Sequence, residues 1–289
     1  MIVDALWGPF VEFSFMRRAL VGCIAISVGA TPVGVFMILR RMSLTGDAMA
    51  HAILPGTAIA YLLVGLSLSA MTLGGLVAGL VVAVGAGLVA RHTALKEDTS
   101  LAAFYLISLA LGVMLLSARG NNVDLFHVLF GSILALDNSS LYLLASIASL
   151  SLLLLALILR SLILECVDAA FLRSVSRTSP LAHYGFLILM VINLVAGFHA
   201  LGTLMAVGMM VLPGAAAKFW GRSLGSLLML SVLLGLGGSY LGLLLSYHHD
   251  LPAGPAIILV LGSIYITSVL IGRESGLLNT YLARRHLAS

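Results

Sequence analysis

The chain is predicted to be an all-α protein, a polytopic membrane helix bundle of eight or nine transmembrane helices. Two observations carry this. Of its 289 residues, 61% are hydrophobic and only 9% charged, whereas a soluble domain has about 25% charged residues. The apolar runs are also long and continuous, at the 18 or so residues that read as a membrane span. They do not alternate in polarity as barrel strands do, and in lipid a helix satisfies its backbone within each segment.

Charged positions punctuate these runs and place the elements in order. Spans are expected near 14–39, closed by Arg40; 52–66; 69–90, closed by Arg91; 100–118, between Asp98 and Arg119; and 140–160, between Asp137 and Arg160. Four more follow near 180–198, 200–217 (closed by Lys218), 224–247 and 254–272 (closed by Arg273). The second run is short unless it begins inside the polar stretch before it. GFHALG at 197–202 reads as a tight turn or as a break in one helix. Residues 1–289 form one transmembrane domain. The glycine pairs Gly75/Gly79, Gly221/Gly225 and Gly238/Gly242 have the spacing that lets helices approach closely.

With nine spans and the N-terminus outside, Arg40, Arg41, Arg91, Lys96, Arg160, Arg173, Arg177, Lys218, Arg222, Arg273, Arg284 and Arg285 fall inside. Only Arg17, Arg18 and Arg119 fall outside. Basic residues favour the cytoplasmic side, so the N-terminus is expected outside and the C-terminus in the cytoplasm. Because these residues are scattered between spans, nucleic acid is not an expected partner. Cys23 and Cys166 lie far apart and form no metal-ligand spacing.

RRMSLTGDAMAHAILPG, at 40–56, sets Asp47 and His51 four residues apart at the entry of an apolar run. On a helix they share one face. Carboxylate oxygen and imidazole nitrogen suit zinc and manganese, and a carboxylate at membrane depth calls for a partner or a task. The same pair equally fits an aspartate that caps the helix and pairs with His51 or an arginine.

ATPVGVFMILRRMSLTGDAMAHAILPGTAIA, at 30–60, resembles the signature of permease subunits of the zinc/manganese ABC importers, relatives of the iron-siderophore and vitamin B12 permeases. The resemblance continues through 96–117, 123–137, 201–217 and 245–257 in the family's order. It implies a multi-pass protein of the bacterial inner membrane, surrounded by lipid. Its implied partners are a second copy of itself, two copies of an ATPase and an extracytoplasmic metal-binding protein. It also implies that Asp47 and His51 line the ion path, with the metal as transported substrate, ATP used by the partner and no permanently bound cofactor.

No Gly-x-x-x-x-Gly-Lys-Ser/Thr loop is present, so the chain is expected to be a transport subunit without ATPase activity of its own. Its handle for the ATPase is expected in a cytoplasmic loop at 159–180, LRSLILECVDAAFLRSVSRTSP. A short helix from Asp168 to Val175 would set Ala169, Leu172 and Val175 on one face; Asp168, Phe171, Leu172, Arg173 and Val175 are the candidate contacts. Ser176 stands where the family usually has glycine, and Ala169-Ala170 where it has an acidic pair.

His248, His249 and Asp250 are candidates for ion entry on the outer side, where His127 and His199 are also expected. The paired histidines depart from the family's tyrosine-rich stretch and tilt the expected substrate to zinc, with manganese or iron as the alternative. A proton-coupled secondary transporter using Asp47 and His51 as a relay is the competing class. An intramembrane enzyme finds no HExxH motif and no paired intramembrane aspartates.

Overall fold

The computed structural model describes residues 2–65, 67–93, 97–117, 133–176, 178–274 and 276–278. His127 and the first part of the 123–137 block lie outside them, as do the side chains of Arg173 and His199. The described residues form helices and no strands. In order these are α1 (Ile2–Glu12), α2 (Ser14–Leu39), α3 (Ser43–Ala52), α4 (Leu54–Val64), α5 (Leu68–His92) and α6 (Glu97–Ser117). A short 3-10 turn (Ile133–Ala135) precedes α7 (Asn138–Val167), α8 (Ala169–Val175), α9 (Ser179–Leu201), α10 (Thr203–Ala217), α11 (Leu224–His249) and α12 (Ala253–Ile271).

Among the described residues, seven segments are long and apolar enough to cross a membrane; Asp98–Gly112 and Thr203–Ala217 are apolar but shorter. The predicted eight or nine spans therefore become seven full ones and two short ones. The second span starts at Thr45, inside the polar motif. The break at 197–202 is a turn at Gly202, whose φ of 83° suits glycine. Ala206 then packs back against Gly197, so α9 and α10 run antiparallel.

Side chains that accept from backbone N–H groups fix several helix starts. Asp137 Oδ1 accepts from Ser140 N at 2.9 Å, and Ser223 forms a capping box with Ser226. The bond to Ser140 holds the exposed Asp137 carboxyl below its ordinary pKa.

Helix α2 is the hub, packed on α7, α9, α10 and α11. Its approach to α10 is so close that a Cβ on Gly34 would collide with the carbonyl oxygen of Met210. Gly56 of α4 meets Gly74 of α5 in the same way. Of the glycines expected at helix contacts, Gly79, Gly238 and Gly242 meet neighbouring helices, whereas Gly225 faces open space. Deep in the bundle, Asn193 Nδ2 donates to Ser151 Oγ at 2.7 Å, and that hydroxyl donates to the Gly29 carbonyl at 3.2 Å. One polar tie thus joins α2, α7 and α9.

The ends of α2, α5, α7 and α10 and the start of α9 lie on one side of the bundle. Arg40 reaches His183, Arg91 reaches Ser179, and Ser179 reaches Glu165. Gly214 of α10 adjoins Val35 and Ile38 of α2, and Glu274 N donates to the Phe219 carbonyl at 3.0 Å. Arg222 and Glu274 pair there as well. This side is the basic end.

Candidate functional site

After α2 the chain reverses through Arg40–Met42. Arg41 takes a left-handed φ of 60°, uncommon for a residue with a Cβ, and Met42 N donates to the Met37 carbonyl at 2.8 Å. Helix α3 then climbs away from the basic end. Its inner face is dense: Met49, Ala50, Ala52 and Ile53 are buried, and Ser108 of α6 donates to the Ala52 carbonyl at 2.9 Å. Gly46 lets α3 approach Met37 and Met210 closely. The helix breaks at Ile53 because Pro55, with no N–H, cannot bond back to the carbonyl of His51.

Asp47 and His51 share the outer face of α3. Oδ1 of Asp47 stands 3.9 Å from Nε2 of His51, with side-chain exposures of 71% and 29%. The helix begins at Ser43 with Met42 at its N-cap, so Asp47 lies too far along to cap it. Among the described residues no arginine pairs with Asp47; its ionisable neighbour is His51. Ile53, two residues beyond His51, packs on Gly79, near the midpoint of α5. His51 therefore lies near mid-depth, and Asp47 one turn closer to the basic end.

At that end the expected loop over 159–180 is shorter than predicted, because α7 runs on to Val167. The run from Ser161 to Val167 stays apolar enough to continue the helix past Arg160. Asp168 then caps α8, accepting from Phe171 N at 2.9 Å. Leu172 is buried at 2%, while Phe171 is 54% exposed and Val175 also faces out. The expected shared face of Leu172 and Val175 is therefore split, with Leu172 anchoring α8 and Phe171 and Val175 left outside.

At the opposite end His248, His249 and Asp250 are exposed and consecutive. Asp250 adopts a left-handed φ of 51°, and the hydroxyl of Ser246 donates to the Leu251 carbonyl at 2.6 Å to close the turn. Among the described residues no three His, Cys, Asp or Glu side chains gather as a metal-ligand set. The GRSLG run at 221–225 spells Gly-x-Ser-x-Gly, but Ser223 Oγ accepts from Ser226 N in the cap of α11.

Sequence reading passed over Glu165, Ser179, His183 and Arg91, which are brought together beside Arg40 at the basic end. They come from three helices, with Arg91 88 residues from Ser179, and no motif marks them as a group.

A bundle of apolar helices with a carboxylate–imidazole pair near mid-depth and a short capped helix at its basic end fits a transport permease of the ABC importer type. The chain belongs to the ABC 3 transport family, which it matches over residues 12–272, and is the permease subunit of a metal importer. It is 34% identical over 275 residues to the manganese import system permease protein ScaB of Streptococcus gordonii, covering 95% of this chain and 96% of that one. It is 30% identical to the manganese transport system membrane protein MntC of Halalkalibacterium halodurans, covering 95% and 93%. A probable iron transport system membrane protein of Haemophilus influenzae is 28% identical, covering 92% and 96%. Among solved structures, PsaBC from Streptococcus pneumoniae in complex with Fab matches with a TM-score of 0.83 and 31% identity, over 97% of this chain and all of that one.

Proposed function

We propose that this permease moves a divalent first-row metal, manganese before zinc, along a path on which Asp47 and His51 are transient ligands. The observation that carries the reading is the outward-facing Asp47–His51 pair near mid-depth in a chain of this family. Manganese replaces the expected zinc because the relatives that name a metal name manganese or iron, and Asp plus His serves manganese as well as zinc. Family membership favours an ATP-driven import over the proton-coupled alternative.

A carboxylate exposed on a membrane helix costs a few kcal/mol if it faces lipid. A second copy of the chain packed over α3 would remove that cost and double the ligands, which supports a homodimer with the path between protomers. The excess of basic residues favours the cytoplasm for the basic end, where α8 would offer Phe171 and Val175 to one ATPase per protomer. His248, His249 and Asp250 then lie on the side of the metal-binding protein.

The test is uptake by the permease–ATPase complex in proteoliposomes, supplied with its binding protein and ATP. Manganese should accumulate and zinc should compete poorly. Accumulation of zinc with no manganese would restore the zinc assignment; accumulation of neither would overturn the reading.

A further inference from the structure

Four helix ends converge on a buried polar network at the basic end. Nη2 of Arg91 donates to Ser179 Oγ at 3.0 Å, and that hydroxyl donates to Glu165 Oε2 at 3.3 Å. Nη2 of Arg40 lies 3.0 Å from His183 Nδ1. A guanidinium has no acceptor, so Nδ1 accepts this bond. The same Nδ1 lies 4.0 Å from Glu165 Oε1, which sets the Arg40–His183 contact beside the Glu165–Ser179 bond. Glu165 and His183 side chains are 2% and 6% exposed. Both guanidinium groups also lie over aromatic rings, Arg40 at 4.8 Å from the Phe186 centroid and Arg91 at 5.5 Å from that of Tyr184.

The location gives this network its meaning. Glu165 precedes Asp168, the N-cap of α8, by one helical turn, and Ser179 follows Ser176, its C-cap, by three residues. The Glu165–Ser179 bond therefore closes the base of the segment that carries α8. At the other edge Arg40 opens the left-handed turn at Arg41 that aims α3, and with it Asp47 and His51. A buried set of hydrogen-bonded polar groups resists being pulled open, because each donor or acceptor would lose its partner in a low dielectric. It can carry a displacement from one helix end to the next.

Building on the transport reading above, we propose that the Arg91–Ser179–Glu165 and Arg40–His183 contacts transmit movement of α8 to the turn before α3. Glu165 and Arg40 thereby act as positioning residues that couple ATP hydrolysis to metal release at Asp47 and His51. Neither touches the metal. They set the pitch of the helix that does.

The test measures manganese transported per ATP hydrolysed in proteoliposomes holding the full permease–ATPase complex with its binding protein. Glu165→Gln keeps the shape and an acceptor for Ser179 but removes the charge. Hydrolysis should persist while the ratio of manganese to ATP falls at least about fivefold, the scale of a typical coupling between sites. A purely structural role would lower both activities together and leave the ratio unchanged, which would overturn the inference. Where Glu165→Gln does not assemble, Ser179→Ala removes the bridging hydroxyl without unbalancing charge and is held to the same ratio. A wild-type complex that hydrolyses ATP but moves no metal would instead overturn the transport reading, and this inference with it.

Discussion

Asp47 Oδ1 and His51 Nε2 stand 3.9 Å apart on the outer face of α3, too far for a hydrogen bond. Two metal–ligand bonds of about 2.1 Å set their donor atoms about 3.4 Å apart at a tetrahedral angle and about 3.0 Å apart at the right angle of an octahedral shell, so the pair would have to close by about 0.5–0.9 Å on a shared ion. Two ligands hold an ion weakly, as a transport path requires. The break at Ile53 and Pro55, one turn above, resembles the interrupted helices that line other transport paths.

Asp47→Asn is therefore expected to abolish manganese uptake without lowering the amount of permease in the membrane. It retains the shape of the side chain and removes the charge that offsets a divalent ion. His51→Ala should do the same by removing the second ligand. Near-normal uptake by Asp47→Asn would exclude the pair as a metal station.

Much of this was legible in the sequence, because composition and run length report directly on solvent. The nine apolar runs, the shared face of Asp47 and His51 and the short helix after Asp168 all follow from local patterns. What was not legible depends on tertiary packing. Leu172 and Val175 have the spacing of one face, yet contacts with α7 and α9 bury Leu172 alone. Arg160 marked the end of a span, but α7 runs past it to Val167, and its one carboxylate there, Glu165, is met by Ser179 at the start of α9. The choice between manganese and zinc could not be read from donor atoms common to both metals.

Gly34 makes the closest approach between α2 and α10, and a Cβ there would meet the backbone of Met210, which cannot swing aside. Gly34→Ala should destabilise the bundle by about 1–3 kcal/mol, as overpacking does, and lower its thermal unfolding temperature in detergent. Gly225 has nothing within 4 Å of its added Cβ, so Gly225→Ala should be neutral or stabilise α11 by up to about 1 kcal/mol. Equal effects at the two sites would contradict the packing described for α2.

The charge distribution predicts sidedness. With Cys23 and Cys166 replaced by serine, a cysteine at Ala5 should react with an impermeant maleimide in intact cells, and one at Val175 only after lysis. The reverse labelling would put the basic end outside and remove the basis for ATPase docking at α8.

The two apolar faces of α8 predict separable defects. Phe171 is exposed on α8, so Phe171→Asp should leave the permease folded and remove the ATPase from it during co-purification. Leu172 is buried, and Leu172→Ala should cost about 2–5 kcal/mol, as loss of a core leucine does. That loss would loosen α8 from α7 and α9 and lower the permease's own thermal stability even with no ATPase present. Val175→Asp should resemble Phe171→Asp, because both side chains face away from the bundle. If Phe171→Asp copurifies with the ATPase as wild type does, α8 is an interfacial helix and the ATPase docks elsewhere on the basic end.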